Sequence, residues 1–599
     1  MTRAQEPGRT GAELLIDSLV EQGVRCLFGY ASSSVLPIYQ ALDRAPGVRV
    51  VPLRHEQAAT FAASGYARAS GKVGVCVVGG GPAATNQLTG ILDAQLDGTP
   101  LVVISGQVHT SLIGRDAWRE TDMIGMTASV TKHNFQPRSA AEIPQVIEAA
   151  FRIARTGRPG VVYIDLPLDV QEEAAGASPA HAVALTQGYR VPPAPDQALI
   201  EQVLTTILEA RRPLLLVGGG AVTADAGHAI IRLAEQLHLP VATTMPAKGI
   251  VPENHPQAVG LLGSYGRRAA HWALQESDLV VALGSRLSDR LTGDVDVFAQ
   301  GRRFVQVDID PAEVGKIVPV EVGVVGDVRQ VAEALLDALA ARLRAASDGR
   351  GQVVPARFQP WLNQCSVAAG FCHRCVPHHA EQGVHPKRVM DFLNQRKRSD
   401  EIVCTGVGQH QAFAAHFLLQ QTPRTFISSC GAGTKGFGLP AAIGAALARP
   451  SQRVILVEGD ASFQANIQEL ATVVQEQLPL TMIVLDNHAL GQDERDARGG
   501  ERLVHPDFSV LASAFGIASS RASSERELEN VLDEVWGQRT PHLIHVQTDP
   551  NARMAPTMPP GGTLHDYAGN CVPQAGQLFE PEERRVIDEA AWGRREDEP

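Results

Sequence analysis

What most constrains this chain is a local order that keeps returning: a short β-branched run, then glycine, then a helical pattern. Val73–Val78 precedes Gly79-Gly80-Gly81, Leu101–Ile104 precedes Ser105-Gly106, and Leu214–Val217 precedes Gly218-Gly219-Gly220. The same order recurs at Leu279–Leu283 before Gly284, at Ile402–Cys404, at Val454–Val457 before Glu458-Gly459, and at Thr481–Leu485. Strands that are apolar on both faces and alternate with helices predict parallel sheets covered by helices. A length of 599 residues, at roughly 150 per domain, leaves room for three such units. The predicted fold class is α/β, with three doubly wound parallel-sheet domains.

Composition shifts set the boundaries. Pro192-Pro193-Ala194-Pro195 separates a first domain, 1–190, from a second, 196–345, which ends in the helical stretch Val331–Ala345. A linker, 346–383, leads to a third domain, 384–556, and a C-terminal tail, 557–599, whose charged end Arg594–Pro599 is expected to be disordered. Cys365, Cys372, His373, Cys375, His378, His379 and His385 crowd in or beside the linker. Cys372-x-x-Cys375-x-x-His378 lacks a well-spaced fourth zinc ligand, so these are read as linker residues.

With 53 Lys and Arg against 65 Asp and Glu, the net charge of −12 excludes a broad nucleic-acid surface. No apolar run approaches the ~20 residues that span a bilayer, and Met1–Thr10 has no apolar signal core. Eight cysteines are too sparse for a disulfide scaffold. The expectation is a cytoplasmic protein with no membrane and no nucleic-acid partner.

The most informative stretch runs from Val454 to Asn487. A strand ends in Gly459-Asp460-Ala461-Ser462-Phe463, a helix follows, and a second strand ends in Asp486-Asn487, with 26 residues between Asp460 and Asn487. That is the length of a strand–helix–strand crossover, which brings both polar side chains to the C-terminal edges of parallel strands, where α/β folds bind ligands. A carboxylate, an amide oxygen and a nearby carbonyl are hard ligands for a Mg²⁺ that also holds a diphosphate. A second segment, Leu53-Arg54-His55-Glu56-Gln57, places Glu56 where the Val48–Leu53 strand meets an alanine-rich helix that is expected to bury it. Alone, Glu56 reads first as a helix N-terminal acid stabilised by the macrodipole.

Several blocks together resemble the thiamine-diphosphate enzymes, specifically the catalytic subunit of acetolactate synthase. They are Arg54-His55-Glu56-Gln57, Gly81-Pro82-Ala83-Ala84-Thr85-Asn86, Thr131-Lys132-His133-Asn134, Val407-Gly408-Gln409-His410-Gln411, Gly436-Phe437-Gly438-Leu439-Pro440 and Gly459-Asp460-Ala461-Ser462-Phe463. The resemblance runs from about Gly11 to Leu564. It implies pyrimidine-binding, central flavin-type and diphosphate-binding domains. It places Glu56 beside N1′ of the aminopyrimidine as the catalytic acid–base and Lys132 as a second catalytic residue. Mg²⁺ would take Asp460, Asn487 and the carbonyl of Ala489, while Gln409, His410, Gly459, Ala461, Ser462 and Lys435 would contact thiamine diphosphate. A structural FAD would use Gly218, Gly219, Arg286 and Arg290. The family assembles its site between subunits, which implies a homodimer or homotetramer, with room for a regulatory subunit.

Departures from the family gather at the reacting end. Its Phe-Gly-Tyr-Pro-Gly-Gly-Ala is Phe28-Gly29-Tyr30-Ala31-Ser32-Ser33-Ser34 here, and its Phe-Gln-Glu is Trp118-Arg119-Glu120. Lys435 stands at an apolar wedge position, Gln492 lies where aliphatic and indole side chains line the acceptor pocket, and Leu262-Gly263-Ser264-Tyr265-Gly266 alters one flavin contact. The pocket formed by Ser33, Ser34, Trp118, Arg119 and Gln492 is therefore polar. The expected activity is decarboxylation of a 2-oxo acid, pyruvate by default, and carboligation of the remaining unit to an acceptor carbonyl. The alternatives are a specialised lyase or ligase with a more polar substrate, and a non-catalytic paralogue that binds cofactor as a partner subunit.

Overall fold

Three six-stranded parallel sheets carry the chain in its computed structural model, which describes residues 8–174, 186, 188–192, 194–347, 355–372, 380, 382–488, 504–554, 557–558, 562–563, 566 and 581–592. The first sheet runs, edge to edge, Arg49–Pro52, Cys26–Tyr30, Gly74–Val78, Leu101–Gln107, Val161–Pro167 and His133–Phe135. The third repeats that winding with Phe426–Ser428, Ile402–Thr405, Val454–Gly459, Leu480–Asp486, His542–Gln547 and Ala518–Ala522. In the second, Val322–Val325, Arg303–Asp308, Leu279–Leu283, Pro213–Val217, Val241–Thr243 and Ala258–Leu261 follow the order of dinucleotide-binding folds. The second sheet reverses its winding once, between Pro213–Val217 and Leu279–Leu283; the first and third reverse centrally, between their second and third strands in that order, and again at the far edge. The crevice beyond the strand ends at the central reversal is where such sheets bind ligands.

Two compact units result. One comprises Met1–Val191, Glu401–His410 and Ile427–Gln547 and holds the first and third sheets; the other comprises Pro192–Asp400, Gln411–Phe426 and Thr548–Pro599 and is built on the second. Within the first unit the alanine-rich helix Glu56–Ser70 packs on Gly438–Ala448. The two backbones approach so closely that a Cβ on Gly65 would lie 2.2 Å from the carbonyl oxygen of Ala441, and one on Gly444 1.9 Å from that of Ala62. Small residues along both helices are thus a packing requirement. Arg68 reinforces the contact by pairing with Asp97 at 2.8 Å and Asp93 at 3.2 Å while donating to the Ser428 carbonyl.

The tail contains an element that the sequence reading did not place. Pro581–Trp592 is a helix that buries Ile587 among Trp272, Trp361 and Cys365, and Arg268 pairs with Glu583 at 2.8 Å. Within the expected linker, Gln359–Cys372 is also helical and supplies that same core. Residues 373–379 and 593–599, which include Cys375, His373, His378, His379 and the charged terminus, lie outside the described residues.

Candidate active site

At the winding reversal of the third sheet, Val454–Gly459 delivers Asp460 onto the first turn of the helix Asp460–Gln464. Oδ1 of Asp460 accepts from the Ala461 amide at 2.7 Å. Oδ2 is buried without a hydrogen-bond partner among the described residues. Burial, together with the neighbouring Asp486, pushes the Asp460 carboxyl up to about 7. Asp486 ends the adjacent strand. Burial opposes its ionisation, but a hydrogen bond from His545 at 3.0 Å and the Asp460 carboxyl hold it down at about 2. His505 completes the group, with Nε2 3.3 Å from Asp460 Oδ2, and burial pushes its imidazole pKa down, towards the neutral ring. Ligating atoms of Asp460, Asp486 and His505 all lie within 4.8 Å of one another. Buried carboxylates with an orphaned oxygen suit a divalent cation.

Around this group lie residues that the resemblance assigns to the diphosphate. Asn487 donates to Gln409 at 3.1 Å, and Gly436 donates to the Ser462 hydroxyl at 3.0 Å. His410 is buried and pushed down to about 3, which makes it a neutral imidazole. Its Nε2 lies 3.4 Å from Glu458, a fully buried carboxyl that burial pushes up to about 8. Gly459 is required beside it, since a Cβ there would sit 2.4 Å from His410 Nδ1.

The matching edge of the first sheet holds Glu56 as the first residue of its helix, behind the cap His55. Oε2 of Glu56 accepts from Asn86 at 2.9 Å. The helix turns its alanines to the core and leaves Glu56 half-exposed, a correction to the burial expected from the sequence. Next to it Glu469, buried and pushed up to about 7, accepts from the Arg54 amide at 2.9 Å.

Residues 9–135 match the N-terminal TPP binding domain of the thiamine pyrophosphate enzymes, residues 200–335 their central domain and residues 406–546 their C-terminal TPP binding domain. A probable acetolactate synthase large subunit of Methanocaldococcus jannaschii is 40% identical over 573 residues, 92% of this chain and 94% of that protein. The isozyme 2 large subunit of Escherichia coli is 38% identical over 92% of this chain and 98% of its own length. The chloroplastic acetolactate synthase of Arabidopsis thaliana is 36% identical over 94% and 85%. This chain belongs to the acetolactate synthase family of thiamine-diphosphate enzymes.

The segments that the resemblance places on the substrate side are polar. Ser32–Ser34 folds into a polar turn: the Ser32 and Ser34 hydroxyls lie 3.1 Å apart, and Gly80 donates to Ser34 at 2.9 Å. Arg119, at φ +68, stacks its guanidinium 4.1 Å from the ring of the exposed Trp118 and reaches the Ser33 hydroxyl at 3.4 Å. A left-handed arginine is a strained conformation of the kind found at functional sites. Glu120 fixes this loop by accepting from the amides of Gly114, Arg115 and Ala117, which hold its carboxyl below the ordinary range. Lys435 is exposed on a turn between Gly433 and Gly436, both at positive φ. Ala489 and Gln492 lie outside the described residues.

Lys132 is a correction to the expected catalytic set. Its ammonium donates to the carbonyls of Ile153 and Thr156 and to the Tyr189 hydroxyl. Those carbonyls end the helix Ile143–Arg155, so Lys132 neutralises orphaned acceptors and is structural.

In the second unit, Gly218–Gly220 meets Gly284 at the winding reversal. A Cβ on Gly218 would lie 2.2 Å from the Gly284 carbonyl oxygen, so bare backbone lines the crevice. Gly219 begins a short helix there, Arg286 is half-buried and Arg290 exposed nearby, and the Thr243 hydroxyl is buried without a partner among the described residues. These groups suit a dinucleotide such as FAD. Ser264, one of the altered positions, donates to the Arg290 carbonyl, and its own carbonyl accepts from Thr557 and Met558 of the tail. Sequence reasoning missed Glu458, Asp486 and His505. Asp486 was visible at a strand end, whereas nothing local distinguished His505.

Proposed function

We propose that this enzyme decarboxylates a 2-oxo acid, with pyruvate as donor, and joins the remaining two-carbon unit to an acceptor carbonyl with release of CO₂. Acetolactate is the product when pyruvate is also the acceptor, which assigns the chain to branched-chain amino acid biosynthesis. The observation that carries the reading is Asp460, buried at the sheet reversal with one carboxylate oxygen unpartnered. When bound, thiamine diphosphate would supply the nucleophile and the electron sink that decarboxylation needs. The chain's own residues do the rest. Glu56 exchanges a proton with the aminopyrimidine N1′, with Asn86 holding its carboxylate in place. Asp460 and Asn487 would hold the divalent cation, while Gln409 and Ser462 would position the diphosphate.

FAD fits the second unit as a structural cofactor, because the carboligation has no net redox step. Purified protein should be yellow and should release flavin on denaturation. Glu56 is left half-exposed in the single chain, which favours a homodimer or homotetramer that closes the site from a second copy. Relatives named large subunits favour a small regulatory partner. No helix among the described residues is long and apolar enough to cross a membrane, and Cys26, Cys76, Cys365, Cys404 and Cys430 are free thiols; a cytoplasmic setting suits both.

The Arg119–Ser33 contact favours a second reading on the acceptor side, an anionic or strongly polar acceptor in place of a second pyruvate. Groups built to bind such a substrate penalise one that leaves them unpaired. Retention of Glu56, Asp460 and Asn487 speaks against a non-catalytic paralogue. The test is CO₂ release and product mass spectrometry with a panel of 2-oxo acids and acceptors, with and without thiamine diphosphate and cation. Cofactor-dependent CO₂ release from pyruvate is expected. Absence of decarboxylation across the panel would refute the reading.

A further inference from the structure

The cation group contains a nitrogen that the family's ligand set does not. His505 is not on the Asp460 helix or on the strand that carries Asp486; it enters from the segment before the helix Phe508–Ala514. Its side chain is only 1% exposed, and neither ring nitrogen has a hydrogen-bond partner among the described residues. Nε2 faces Asp460 Oδ2 at 3.3 Å, and a desolvated imidazole and carboxylate set this way, with no hydrogen bond made by either ring nitrogen, are costly unless a ligand satisfies them.

The position is built rather than incidental. Asp507, two residues on, caps the helix by accepting from Ser509 at 3.0 Å and Val510 at 3.3 Å. Phe508 is fully buried, edge-on to Phe463 at 5.7 Å and to His545 at 5.3 Å. His505 is therefore anchored by the two residues that follow Pro506. Asp486 has its own support: His545 Nε2 lies 3.0 Å from its Oδ2, and His545 Nδ1 lies 3.4 Å from Asp507. Such outer partners orient metal ligands.

We propose that His505 joins Asp460 and Asp486 in a mixed nitrogen–oxygen cation site, and that this chain takes a transition-series divalent cation such as Co²⁺ or Zn²⁺ in preference to Mg²⁺. Mg²⁺ demands oxygen ligands in a near-octahedral shell and gains little from imidazole, whereas imidazole with carboxylates suits the later divalent ions. The inference rests on the cofactor reading above only in placing a cation beside Asp460.

The test uses the full chain stripped of metal and titrated with Co²⁺ alone or Mg²⁺ alone, without thiamine diphosphate. Visible absorption reports nitrogen coordination of Co²⁺ and calorimetry reports affinity. His505→Ala and His505→Asn are compared with wild type and with Asp460→Ala, and metal-free melting establishes that each variant is folded. Both His505 variants should weaken Co²⁺ by about tenfold or more and change Mg²⁺ by no more than about twofold. The Co²⁺ bands should change with them. Unchanged Co²⁺ affinity and spectrum in folded His505 variants, with Asp460→Ala abolishing binding of both ions, would overturn the role of His505 and leave the cofactor reading standing. Undiminished Co²⁺ binding by Asp460→Ala would overturn the site itself.

Discussion

Each unit of the molecule buries a cluster of charge, and the two clusters are built on opposite terms. In the second unit Glu253 is nearly inaccessible, yet it accepts from Lys248 at 2.6 and 2.7 Å and from the Gln420 amide at 2.7 Å, with Arg267 at 3.8 Å. Burial pushes Lys248 down to about 8 but Glu253 keeps it charged at neutral pH, while Lys248 and Arg267 hold Glu253 below the ordinary carboxylate range against its own burial. In the first unit Asp460, Asp486 and His505 leave a carboxylate oxygen and two ring nitrogens without hydrogen bonds among the described residues. The lesson is that burial of charge does not by itself mark a site. A satisfied cluster is architecture, and an unsatisfied one marks a place kept for a ligand.

The sharpest way to break this contrast is to remove one member of the satisfied cluster. Glu253→Ala strands two buried cations and should lower stability by about 3–5 kcal/mol, read as a shift in denaturant midpoint at constant slope. Loss of cofactor affinity without loss of stability would show that this cluster is functional after all.

Asp460→Ala should do the reverse. Cation-dependent binding of thiamine diphosphate should weaken by at least about 100-fold, whereas metal-free melting stays level or rises, because a poorly compensated buried carboxyl has gone. A large drop in metal-free stability would place Asp460 among the structural charges.

The smallest effect concerns Glu469, which is hydrogen-bonded but lacks a full charge partner. Burial raises it from 4.5 to about 7. Between those values the unfolded chain has released the proton that the folded chain still holds, so stability is lost as pH rises through that window. Glu469→Gln should remove that component, worth up to about 1.4 kcal/mol per pH unit, in unfolding curves taken from pH 4.5 to 7. The flattening is partial, since Glu458, raised to about 8, acts with the same sign. An unchanged pH slope would mean that Glu469 is already ionised in the folded state.

Much of this was legible in the sequence because it depends on local order. The strands at Val454–Gly459 and Leu480–Asp486, the crossover between them and the placement of Asp460 at its edge follow from apolar runs, glycine and spacing. The parts that were not legible depend on distant pairings. His505 meets Asp460 across 44 intervening residues, and Lys132 binds the end of a helix about twenty residues on, where no local pattern separates an anchoring lysine from a catalytic one. Glu56 was expected to be buried because alanine surrounds it in sequence. Helical periodicity sends the alanines inward and leaves the first residue of the helix at the surface. The tail helix was missed because its charged face dominates its composition, although Ile587 alone is enough to dock it.

The central claim is that Glu56 and Asp460 serve one cofactor, the first for proton exchange and the second for retention. It is tested most directly by calorimetric titration of thiamine diphosphate into wild type, Glu56→Gln and Asp460→Ala, with and without divalent cation, alongside CO₂ release from pyruvate. The account predicts cation-dependent binding to wild type and Glu56→Gln and none to Asp460→Ala, with turnover in Glu56→Gln down by about 10²–10⁴-fold. Binding to Asp460→Ala equal to wild type, or full turnover by Glu56→Gln, would contradict it.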